Sequence, residues 1–125
     1  MRNTSTAHLA FGLDGILIVR IHKGTHQEPA HARENLGAAI EVAAGRRPPL
    51  LVDISGSPPL SAETRHLYSG EAVDRSFAAL ALLVEASPLG RMMGNLYFRV
   101  ARPGIPMHLF TDETRAIGWL RGYLR

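Results

Sequence analysis

"LLVDISGSPPLSAETR", Leu50 to Arg65, decides how the rest of the chain folds. With Pro49 in front and Ile54 closing it, "PLLVDI" is a short, nearly continuous apolar run, the pattern of a central strand covered on both faces. Asp53 stands at its carboxyl end. Pro58 and Pro59 lack backbone donors and hold the residues before them extended, so the chain leaves the sheet there. Ser61 then sits as the N-cap of a helix reaching to about Arg75. A buried strand that turns into a capped helix is the repeating unit of a parallel sheet.

Working outward, His8 to Ile21 reads as a hairpin, "HLAFGL" and "ILIVRI" about an Asp14-Gly15 turn. A helix follows, opened either by Thr25 in a capping box with Glu28 or by Glu28 itself with Pro29 at the first helical position. Ala32, Leu36, Ala39, Ile40 and Ala43 form its apolar face, and Gly45 stops it. Downstream of the central strand, "FAALALLVEA" is a second buried strand, Ser87-Pro88 opens a helix that ends before Arg102-Pro103-Gly104, and "IPMHLF" is a third strand. Thr111 or Asp112 caps a last helix carrying Ile117, Trp119, Leu120 and Tyr123. The order ββαβαβαβα describes one α/β domain over residues 1–125, a mixed sheet with an N-terminal β-hairpin and right-handed crossovers.

Composition excludes several classes of function. The chain has 125 residues, no cysteine, 14 basic and 11 acidic residues and a formal charge of +3. That length suits a single core. Without cysteine there is no disulfide framework, thiolate zinc site or cysteine nucleophile, which fits the cytoplasm. The arginines from Arg91 onward come with neither a lysine run nor an aromatic ladder, so they read as solvated surface and not as a nucleic-acid interface. No apolar stretch is long enough to insert in a membrane. His22, His26 and His31 lack metal-ligand spacing, so neither a metal nor another cofactor is expected.

"DGIL" at Asp14–Leu17, the strand ending in Asp53, "SPLGRMMGN" at Ser87–Asn95 and "HLFTDETRAIGWL" at His108–Leu120 together resemble the SpoIIAA-like bacterial proteins of unknown function, a STAS/SEC14-related group. The resemblance runs over nearly the whole chain and implies a STAS/SpoIIAA-like fold. In the STAS anti-sigma-factor antagonists a serine near the start of the helix after the strand-end aspartate is phosphorylated. Ala62 holds that serine's offset here and the surrounding motif is missing, which leaves the adjacent Ser61 as the phosphoacceptor candidate. SEC14-like relatives hold lipids, and Met92, Met93, Leu96, Tyr97 and Phe98 would be the apolar lining of a lipid-like ligand's cavity.

Loops at the carboxyl ends of parallel strands converge, and ligands bind there at a topological switch point. This gathers Asp53, Ser55, Ser57 and Ser61 from one loop, Glu85, Ser87 and Arg91 from the next, and Thr111 and Asp112 from the third. Helix starts at such a rim favour anions. Ser61, Ser87 and Asp112 are equally explained as caps, Asp53 as a turn acceptor, and Gly90 with Gly94 as helix packing, since no phosphate loop or dinucleotide fingerprint is completed. No Gly-x-Ser-x-Gly elbow or paired-carboxylate arrangement is present. The expectation is therefore a non-enzymatic, cytoplasmic binding or regulatory module that meets a protein partner or small ligand through this rim. A SEC14-like carrier is the alternative. The hairpin edge and the helix bearing Trp119 and Tyr123 further suggest a homodimer.

Overall fold

The computed structural model describes residues 2–58, 61–67, 70–86 and 104–124. The elements are β1 (Arg2–Asn3), β2 (Ala7–Phe11), β3 (Leu17–Ile21), α1 (Pro29–Ala43), β4 (Leu50–Asp53), α2 (Ala62–Leu67), α3 (Glu71–Ser76), β5 (Leu80–Leu83), β6 (Met107–Phe110) and α4 (Glu113–Arg121). They build one mixed sheet in the order β1-β2-β3-β4-β5-β6. β1, β2 and β3 pair antiparallel, and β3 to β6 run parallel. The order never reverses, so the carboxyl ends of the parallel strands share one rim without the crevice of a switch point.

Three local departures from the sequence reading have simple causes. The helix expected from Ser61 to Arg75 is two helices, because Gly70, a poor helix former, takes an extended conformation (φ −81°, ψ 171°) and becomes the N-cap of α3. The strand expected from Phe77 begins at Leu80: Phe77 is instead the C-cap of α3, its N–H donating to the Val73 carbonyl at 3.1 Å. The short β1 adds a strand outside the hairpin, pairing Arg2 with Leu9 and Asn3 with His8. The helix expected after Ser87-Pro88 lies outside the described residues.

Alternation along the strands gives the sheet two buried faces. Leu17, Val19, Leu50, Val52, Leu80 and Leu82 meet α1 and α3 through Ala32, Ala39, Val73 and Phe77. On the other face Leu51, Ala81 and Leu83 meet Ala116 and Leu120 of α4. The hairpin turn is closed by the Gly15 N–H on the Gly12 carbonyl at 3.1 Å, and Gly15 takes a left-handed φ of +92°, which glycine adopts at little cost. Glu28 caps α1 with Pro29 in the first turn, and the Glu28 N–H donates to His31 Nδ1 at 3.1 Å. The buried stripe of α1 is turned toward Asn35 and Ala38, leaving Leu36 and Ile40 only partly buried.

The hairpin edge and the last helix, the two surfaces that suggested a homodimer, both make contacts within the chain, and the oligomeric state is a separate question. β1 covers part of the hairpin edge, and Trp119 packs against Phe110 at 5.7 Å and Tyr123 at 5.0 Å between ring centroids. Among the described residues, no helix is long and apolar enough to cross a membrane.

Candidate functional site

The parallel register sets Arg20 of β3 beside Asp53 of β4 on the sheet face covered by α4. Phe110 ends β6, and Asp112 caps α4 by accepting the Thr114 N–H at 3.1 Å, which fixes Glu113 in the first turn above the same pair. The three side chains meet. Arg20 forms a fork on Glu113, Nη1 to Oε1 at 2.6 Å and Nη2 to Oε2 at 3.0 Å, while Nη1 also donates to Asp53 Oδ2 at 3.1 Å. The second Asp53 oxygen accepts the Ser55 N–H at 3.0 Å and the Ser55 hydroxyl at 2.7 Å. Two-point pairing of a guanidinium with a carboxylate is a strong, orienting contact.

Hydrogen bonding to Arg20 holds the Glu113 carboxyl below its ordinary range, against the opposing effects of desolvation and the Asp53 charge. The Arg20 guanidinium is raised in turn, chiefly by Glu113. A depressed carboxylate contributes stability that is complete above its ordinary value of 4.5 and is lost as pH falls through the lower folded value. Arg20→Met should therefore cost about 1 kcal/mol at neutral pH, a figure discounted for solvent because 41% of the Arg20 side chain is exposed. The deficit should shrink below about pH 4. Parallel urea titrations of both proteins at neutral and acid pH check this, and a deficit that grows in acid would contradict it.

The residues expected at the rim separate into distinct local roles. Asp53 and Ser55 join the Arg20–Glu113 cluster. Ser57 closes the same loop through its N–H on the Ile54 carbonyl at 3.0 Å, and its buried hydroxyl has no hydrogen-bond partner among the described residues. The loop rests on the segment after β3: the Gly24 N–H donates to the Gly56 carbonyl at 2.8 Å, and a Cβ at position 56 would come within 2.7 Å of Lys23 Cγ. Ser61 caps α2, its hydroxyl accepting the Thr64 N–H at 3.2 Å and lying 3.0 Å from Thr64 Oγ1. Glu85, Thr111 and Asp112 are exposed, while Ser87, Arg91 and the Met92–Phe98 group lie outside the described residues.

Ser61→Ala should lower stability by about 1 kcal/mol, whereas Ser61→Asp, which retains a cap acceptor, should stay close to the parent protein. Denaturant midpoints of the two variants test this, and equal midpoints for alanine and serine would remove the cap.

Arg20 and Glu113 are the members that sequence reasoning missed. Their one signal was an arginine in an otherwise apolar strand, "ILIVRI", where a charge on a covered face needs a partner. Among the described residues, no three His, Asp or Glu side chains converge as a metal set, and no imidazole stands between Ser55 and Asp53 as serine activation requires. The arrangement can present hydrogen-bonding groups on an ordered rim, and its carboxylates are already engaged.

An uncharacterised protein of the DUF3478 family with a SpoIIAA-like fold, from Shewanella loihica PV-4, is similar over 96% of this chain and 98% of its own, at 16% identity and a TM-score of 0.61. A protein of unknown function from Arthrobacter sp. FB24 is 24% identical over 96% of each chain, with a TM-score of 0.38. No curated protein matches. The first of these likenesses shows that the fold is SpoIIAA-like. A family model described as a domain of unknown function, DUF7793, matches residues 11–124, and the chain belongs to that family.

Proposed function

We propose that the chain is a non-enzymatic regulatory module of the cytoplasm that docks a protein partner on the rim formed by Asp53 to Ser57, Ser61 and α2. The observation that carries this reading is the state of the rim's charged groups. Arg20 is shared between Asp53 and Glu113, and the free oxygen of Asp53 is taken by Ser55, so the cluster fixes the shape of a surface in place of a reacting group. Farther along the chain from the same loop, α2 presents exposed Ala62, Glu63 and His66 next to exposed Ser61. A hydroxyl at this helix start is also where an added phosphate would change the charge of the docking face.

The test is site-specific photocross-linking in the source cell. A cross-linking residue at Glu63 on α2 should capture a defined protein, and the same residue at Arg33 on α1 should not; both positions are exposed. Capture that is identical from both positions, or absent from Glu63, would defeat the reading. So would turnover of a metabolite by the purified protein that disappears in a folded Asp53→Asn variant.

A further inference from the structure

A concave site lies at the end of the sheet opposite the rim around Asp53. Phe11 is paired with Leu17, and Leu17 with Leu50, so the end of β2, the hairpin turn and the loop before β4 gather at the amino ends of the parallel strands. Together with the segment after α4 they enclose an open cleft of about 430 Å³, within the size range of small-molecule sites.

Its chemistry is two-sided. Arg46 lies over the Phe11 ring with its guanidinium carbon 5.8 Å from the centroid, and it has no carboxylate partner among the described residues. Arg47 spends one guanidinium nitrogen on the Asp74 carbonyl at 2.9 Å. Its backbone is left-handed (φ +54°), a conformation that favours glycine, so this position bears strain while presenting an arginine to the cleft. Pro48, Tyr123 and the fully exposed Leu13 also line the cleft and supply its apolar surface. Asp14 also lines the cleft, but it is neutralised by Arg121 Nε at 2.9 Å.

We propose that this cleft binds a small aryl carboxylate, its anionic head on Arg46 and Arg47 and its ring between Leu13 and Tyr123. A carboxylate fits better than a phosphate dianion, because the one unpaired guanidinium, that of Arg46, supplies a two-point contact matched to a single negative charge. A flat ring fits the proline and tyrosine walls better than a flexible chain, which would lose more freedom on binding. The site is separate from the rim around Asp53, so its failure leaves the partner-docking reading untouched.

Amide chemical-shift titration of the whole chain with phenylacetate tests the proposal, with phenethylammonium as the charge-reversed probe and acetate as the probe without a ring. Phenylacetate should give saturable shifts confined to the amides of residues 11–15, 46–47 and 123–124. Arg46→Gln should weaken binding roughly tenfold, the worth of one charged hydrogen-bonded pair. Leu13→Asp, at a fully exposed position that the fold does not depend on, should weaken it as well. Saturation by phenethylammonium, equal binding by acetate, undiminished affinity in folded Arg46→Gln, shifts centred elsewhere, or no saturation with millimolar phenylacetate would each overturn the assignment.

Discussion

Phe77→Ala is expected to remove about 3–5 kcal/mol of stability, a large share of the roughly 5–15 kcal/mol that holds a domain of this kind together. The ring is fully buried, with Val73, Leu80 and Leu82 in the same cluster, and the residue also terminates α3. Truncation leaves a cavity that a turn fixed between helix and strand cannot collapse to fill. Phe77→Leu, which keeps most of the volume, should cost much less, about 1 kcal/mol. Urea titration should show the alanine midpoint falling with the slope unchanged. A midpoint near that of the parent protein would place the ring outside the core.

Asn35→Leu should cost about 2–4 kcal/mol, although it puts an apolar group in a buried position. Asn35 is 1% exposed, and its Nδ2 donates to Thr6 Oγ1 at 2.8 Å and to Gln27 Oε1 at 3.2 Å. Its Oδ1 accepts from the Thr4 hydroxyl. Thr6 and Gln27 are themselves buried, so leucine would withdraw their shared donor where water cannot substitute for it. The network links the turn between β1 and β2 to α1. The loss should therefore appear both in the denaturant midpoint and as faster amide exchange at Ala7 and His22, whose N–H groups donate to Thr4 Oγ1 and the Thr6 carbonyl. Unchanged exchange at both amides would mean that the network does not anchor this end of the sheet.

The two positions also show why some of the fold could be read from sequence and some could not. β4 was readable because an apolar run bounded by proline and aspartate has few other solutions, and Ser61 because a cap is a local hydrogen bond. Phe77 was misplaced because "FAALALLVEA" is apolar throughout, and a continuous run carries no period to separate a helix end from a strand start. Asn35 sits one turn from Ala32 and from Ala38 and Ala39 on the buried stripe of α1; the larger Leu36 and Ile40 drew the apolar face away from it. The candidate site was half readable. Asp53 and Ser55 are neighbours in sequence, but the groups that complete them, Arg20 and Glu113, are brought there by strand register and by the entry of α4. Pattern within a short window does not encode such a meeting.

The ion pairs of α4 have a consequence for the order in which the molecule is made. Arg20 and Glu113 are 93 positions apart, and Asp14 and Arg121 are 107 apart. During synthesis the strands that supply Leu51 and Ala81 emerge long before the helix that covers them. Closing so large a loop adds little entropy beyond that of a shorter one, since the cost grows only with the logarithm of length, but it must wait for the later segment to exist. A nascent chain can pair β2, β3 and β4 and seat α1 while its other sheet face stays bare, which is the condition under which growing chains associate wrongly. Only Thr111 and Asp112 separate β6 from α4. At about 5–20 residues per second, the cover therefore follows the last strand within roughly two seconds.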